Sequence, residues 1–151
     1  MVVENFRLVT PIEWVYRRDL PLFDKTLTNP NGTNPILDGE WLMYDTTKKA
    51  VRSDGSSLSW VVYAERGRSD TQALGKLPVL YIGKYEADTL IFDAQNLAQG
   101  NALMVADVTY PSGGTTRSGL KKQASSPLTI GYVTRMPSVN GQKLRFFNTL
   151  T

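Results

Sequence analysis

Three short apolar runs in the last third of the chain, Ala102 to Tyr110, Leu128 to Arg135 and Lys143 to Asn148, are separated by polar segments that carry glycine. In the last run Leu144 and Phe146 alternate with Lys143, Arg145 and Phe147. This period of two defines a strand with one apolar and one basic-aromatic face. In the middle run Leu128, Ile130 and Tyr132 share one face while Gly131 and Val133 share the other, so both faces can be covered and this strand is expected to be central. Pro137-Ser138-Val139-Asn140-Gly141 supplies the positive backbone angles of a tight turn. The last two strands are therefore expected to be antiparallel neighbours in an all-β domain, a small antiparallel β-barrel or sandwich.

The stretch upstream continues the pattern. Ile36 to Asp45 reads as a strand interrupted at Gly39 by a turn or bulge, and Thr46 to Lys49 turns the chain into Ala50-Val51-Arg52. Ser53 to Ser57 is a second turn before Leu58 to Ala64. Trp41 and Trp60, each near the start of a strand, are expected in the core. Glu65 to Asp70 is a charged, solvated loop. Pro78 to Gly83 is a buried strand, and Tyr85 to Asp93 leads out of it. Thr89 to Asn96 fits a short helix or an extended crossing equally well. Pro111 to Ser126, rich in Gly, Ser, Thr and Lys, is expected to be a loop between strands.

Residues 1–35 differ from the rest. Phe6, Leu8, Ile12, Trp14 and Tyr16 belong to a dense apolar set that Pro11, Pro21, Pro30 and Pro35 punctuate, and neither helical nor strand period persists. Proline at these intervals removes backbone donors and favours extended chain. An extended N-terminal arm is expected, with one helical turn near Pro11 to Arg18. It precedes a β domain at 36–151, across a turn-rich boundary at Asn29 to Pro35. Its bulky groups need a dry surface, and Phe6, Leu8, Ile12, Trp14 and Tyr16 are the expected partner-contacting residues.

A length of 151 residues fits one domain, and no apolar run approaches the roughly 20 residues of a membrane-spanning helix. The first residues lack the basic patch and apolar stretch of a secretion signal, so the protein is expected to act where it is made. Cysteine and histidine are both absent. Disulfides, thiolate nucleophiles, Cys/His zinc sites and Ser-His-Asp arrangements are excluded with them. A Ser-Lys dyad or a carboxylate pair stays open chemically. However, Glu86, Asp88 and Asp93 lack calcium-loop spacing, and Gly114 to Lys121 has Leu120 where a phosphate-binding loop needs lysine. The chain is expected to be no enzyme and to hold no cofactor or metal.

The net charge of +3 is unevenly placed: nine Lys/Arg against ten Asp/Glu up to residue 75, then eight against four. No acid follows Asp107. Arg135, Lys143 and Arg145 are the candidate electrostatic contacts, for an acidic protein surface or for single-stranded nucleic acid stacked beside Phe147.

The run Pro78 to Thr89, then Gly100 to Val105, Pro127 to Arg135 and Leu144-Arg145-Phe146 resembles the capsid decoration (cement) proteins of tailed bacteriophages. The likeness covers about residues 36–150 and lies in the order of strands and turns. It implies a compact β domain that attaches as a homo-oligomer to the outside of the phage head and bridges copies of the major capsid protein. It also implies location on the virion after synthesis in the host cytoplasm. A tail-tube or head-completion protein shares small barrels and arms, and a single-strand nucleic-acid binder is the alternative from another class. The long aromatic arm departs from the family pattern.

Overall fold

A computed structural model of the chain describes residues 4–23, 27, 34–63, 75–111, 114–124, 128–139 and 142–149. The fold is all-β, with one short 3-10 turn, Ile12–Trp14, among the described residues. Six strands, β1 (Phe6–Leu8), β7 (Glu86–Thr89), β8 (Ala102–Tyr110), β9 (Thr115–Lys122), β10 (Gly131–Arg135) and β11 (Leu144–Asn148), form a curled antiparallel half-barrel in the order β1-β7-β11-β10-β8-β9. As the alternation predicted, Leu144 and Phe146 are fully buried and β10 pairs antiparallel with β11. On β10 the buried face is Gly131 and Val133, while Tyr132 points out at 45% exposure. Close approach explains the glycine, because a Cβ on Gly131 would lie 2.0 Å from the Phe147 carbonyl oxygen.

The other strands are β2 (Tyr16–Pro21), β3 (Trp41–Tyr44), β4 (Ala50–Arg52), β5 (Ser59–Val61) and β6 (Lys76–Ile82). β2 pairs with β6, and β3 sits between β4 and β5. A Val62–Val79 bridge joins β5 to β6, and a Leu22–Ala50 bridge returns the chain after β2 to β4. The order β2-β6-β5-β3-β4 thus closes on itself. Its strand alternation splits the apolar residues between two cores. Leu20, Leu22, Leu42, Ala50, Val62, Leu77 and Val79 form the smaller one. Val15, Trp41, Val61 and Leu80 face the larger core that Phe6, Leu103, Leu120 and Phe146 share on the half-barrel side.

Two expectations change here. The free arm is not seen over residues 4–23. Phe6, Arg7 and Leu8 pair with Thr89, Asp88 and Ala87, and Tyr16 to Pro21 pair with β6. The prolines did favour extended chain, but extended chain with unspent backbone groups satisfies them best on a strand edge. The expected loop from Pro111 to Ser126 contains an eight-residue strand, β9, in register with β8. Its Gly114 to Lys121 stretch is therefore strand beyond the first residue. The turns at Gly39 and at Thr46 to Lys49 form as expected; Thr89 to Asn96 is no helix, bridging to Leu120 at Phe92 and then turning at Gln95 and Asn96, where Asn96 has φ of +57°. Asn29 to Thr33, Glu65 to Asp70 and Asn140-Gly141 lie outside the described residues.

A buried carboxylate anchors β9, which pairs along its length with β8. Glu40, wholly inaccessible, accepts from the Leu37 N–H (2.6 Å) and the Ser118 N–H (3.0 Å). Arg52 reaches it through Nε (2.8 Å) and Nη2 (3.2 Å), and Arg117 through Nη1 (3.2 Å). The two guanidinium groups also donate to the carbonyls of Asn34 and Pro35. One carboxylate thus ties β4, β9 and the approach to β3 together, neutralised by two cations.

A candidate docking surface

Of the five expected contact residues, the structure keeps two outside. Trp14 is 72% exposed and Tyr16 59%. Phe6 is buried in the larger core, its ring 6.1 Å from that of Tyr63 and 6.5 Å from that of Phe146. Leu8 and Ile12 are half-buried against the same core. Phe6 is therefore corrected from a partner contact to a structural residue: pairing of β1 with β7 turns its side chain inward.

The reason Trp14 faces out is local. Pro11 opens the 3-10 turn, which ends as Val15 adopts extended angles and donates its N–H to the Ile12 carbonyl. Val15 is buried, so its neighbours Trp14 and Tyr16 point the other way. Gly83 lets this turn approach, since a Cβ there would meet the Trp14 carbonyl oxygen at 3.2 Å on a backbone with φ of +116°. Opposite Tyr16 in the β2–β6 register is Ile82, half exposed. Trp14, Tyr16 and Ile82 form the outer margin of one surface.

From Tyr16 a row of rings runs across four strands. Its ring centroid is 6.4 Å from that of Tyr81 on β6, which stacks on Trp60 of β5 at 5.1 Å and 20°. Trp60 meets Tyr44 of β3 edge-on, again at 5.1 Å. Arg18 lies over the Tyr81 ring, 5.1 Å from its centroid. Tyr44, Trp60 and Tyr81 are half-buried and rest on the smaller core. Trp41, buried to 1% exposure, is the core residue expected of it, and Trp60 packs against the smaller core with part of its ring left exposed. Burial pushes the Tyr44 hydroxyl above its ordinary value, Tyr81 adds to this, and Arg18 opposes it. The hydroxyl stays protonated across the physiological range, so it remains a donor. Beside the row, a shallow groove of about 560 Å³ is bordered by Ile12, Glu13, Arg17 and Asp19.

Sequence reasoning missed Arg18, Tyr44, Tyr81 and Ile82. Their usable signal was the recurrence of aromatic residues on strand segments. Their adjacency depends on pairing between residues tens of positions apart.

The expected basic face is largely satisfied from within. Arg145 makes a two-armed pair with Asp88 (2.8 and 3.1 Å), with Glu86 at 3.7 Å, and Lys143 lies 3.6 Å from Glu4. The Asp88 hydrogen bonds raise the Arg145 value further. Arg135 is exposed, opposite Arg145 across the β10–β11 ladder. Among the described residues no group of three or more acidic side chains is placed to hold a metal ion. No protein-family model, curated protein or solved structure matches this chain.

Proposed function

We propose that this chain is a structural virion protein that docks through the Trp14–Tyr16–Ile82 margin and its aromatic row. The resemblance of its runs Pro78 to Thr89, Gly100 to Val105, Pro127 to Arg135 and Leu144-Arg145-Phe146 to capsid decoration proteins supports the reading that it binds the major capsid protein lattice from outside. One observation carries the docking part: large apolar side chains are held out in water by a rigid β frame. Leaving Trp14 72% exposed and Tyr16 59% exposed forfeits burial worth about 1.5–3 kcal/mol for a large apolar side chain. A surface of this kind recovers that energy on a partner. Aromatic anchors in a desolvated centre dominate such contacts, and many modest contacts on a lattice add through multivalency. Ligation to the assembled shell alone then stabilises the shell by mass action.

Co-sedimentation of the full chain with purified expanded heads tests the reading. The parent chain is expected to pellet with heads, and Trp14→Ala is expected to weaken binding about 30-fold, the usual cost of an aromatic hot spot of about 2 kcal/mol. Failure of the parent to bind heads, or equal binding by the variant, refutes it.

A further inference from the structure

We infer that the outward face of the half-barrel, around Tyr132 and Phe147, is a seat for single-stranded nucleic acid, with bases stacked on the two rings and phosphates met by Arg135, Lys121 and Lys122. The inference uses none of the Trp14–Tyr16–Ile82 margin and does not rest on the docking reading.

Strand parity gives the first argument. Tyr132 of β10 and Phe147 of β11 are direct partners in the register, while their neighbours Gly131, Val133 and Phe146 are buried. Directly opposed residues stand on one face with Cβ atoms about 5 Å apart. The two rings therefore lie side by side on the solvent side of the sheet, Tyr132 at 45% exposure and Phe147 half-buried. Neither belongs to either core, and among the described residues neither ring is in contact with another ring. Tyr81 and Trp60, by contrast, already stack on each other.

Charge gives the second. The strands β9, β10 and β11 carry five cations and no acid. Of these, Arg117 is taken up by Glu40. Arg145 lies two residues from Phe147, about 7 Å along the strand, and Arg135 faces it across the ladder. The acids beside the rings are Glu86, opposite Phe147, and Asp88, opposite Arg145, and both lie against the Arg145 guanidinium. Glu4 is held by Lys143 in the same way. Arg135 makes no ion pair among the described residues, so its charge remains for a ligand.

Past the other end of the ring pair, Tyr132 is the partner of Ala102 on β8, and Met104, two residues on, is the partner of Lys121. Lys121 is thus on the same face, about 10 Å across the strands from Tyr132 and about 7 Å along them. Lys121 and Lys122 border a groove of about 270 Å³ with Gln95 and Asn96, against one acid, Asp93. Cations therefore flank the rings on both sides along a diagonal, as they do where a charged surface tracks a backbone and aromatic rings take the bases. An acidic peptide would use the cations and leave the rings idle; a sugar would do the reverse. A strand of nucleotides uses both.

Fluorescence anisotropy of labelled oligothymidine with the full chain, at low salt and then at rising salt, tests the inference. Oligothymidine is expected to bind at least about tenfold more tightly than a DNA duplex of the same length, and more tightly than polyphosphate of the same charge. Tyr132→Ala and Phe147→Ala are each expected to weaken it about fivefold or more, whereas Tyr132→Phe, which keeps the ring, binds as the parent does. Arg135→Gln and Lys121→Gln are each expected to make the slope of log affinity against log salt shallower by about 0.7. No binding at low salt, equal or tighter binding of duplex, polyphosphate or a maltooligosaccharide, parental affinity in both alanine variants, or unchanged salt slopes overturns it.

Discussion

Glu40→Gln probes a buried carboxylate on which five hydrogen bonds converge among the described residues. The substitution keeps the volume but removes the charge that five hydrogen bonds converge on, and its amide N–H₂ faces guanidinium donors. Two backbone N–H groups, of Leu37 and Ser118, lose a charged acceptor, and Arg52 and Arg117 lose their counter-ion. Breaking a buried pair on one side costs about 3–5 kcal/mol. The arginine side chains keep 20% and 12% of their exposure, so water relieves part of the loss and the lower end applies. For 151 residues at about 2.1 cal/mol/K each, the unfolding entropy is about 0.3 kcal/mol/K. A loss of about 3 kcal/mol therefore lowers the melting temperature by about 10 °C. Differential scanning calorimetry at neutral pH measures it directly, with urea unfolding as a second route to the free energy. A fall below about 3 °C would refute the claim that this carboxylate joins β4 and β9 energetically.

Alkaline stability follows from the buried tyrosines. Burial drives the Tyr85 hydroxyl far above its ordinary value, and raises Tyr110 as well. The folded state then keeps a proton that the unfolded state gives up near pH 10, so stability is complete below about pH 10 and declines as pH rises above it. Tyr85→Phe is expected to flatten that decline in urea titrations between pH 9 and about 11; parallel decline of variant and parent counts against the assignment. Gly131→Ala must displace the Phe147 carbonyl in the centre of the sheet and is expected to cost about 2–3 kcal/mol, read as a urea midpoint shift. An unchanged midpoint would mean that the β10–β11 approach is looser than described.

The all-β class was legible because its evidence is local. Leu144 and Phe146 alternate with charged neighbours, and the turn at Gly39 announces itself in adjacent residues. β9 was not, because nothing in Thr115-Thr116-Arg117-Ser118-Gly119 reports that Glu40 will satisfy it or that Gly119 will sit against the Ile91 carbonyl. Charge was misjudged for the same reason: the partners of Arg145 and Lys143 are Asp88 and Glu4, remote in sequence and adjacent only after β7 and β11 pair. Of the docking surface, Trp14 and Tyr16 were visible as bulky groups in need of cover. Phe6, chemically alike, went inward because its strand met β7. Trp41 and Trp60 look equivalent on paper, and the parity of the strand face they occupy decides which core each ring joins, the larger one for Trp41 and the edge of the smaller one for Trp60.

The segment from Phe6 to Leu22 contributes β1 to the half-barrel and β2 to the closed ring. A single short stretch of backbone is thus built into both layers, with Val15 plugged between them. Because Val15, Trp41, Val61 and Leu80 pack into the same core as Phe6, Leu103, Leu120 and Phe146, loss of either layer exposes apolar surface of the other, and the two are expected to unfold in one transition.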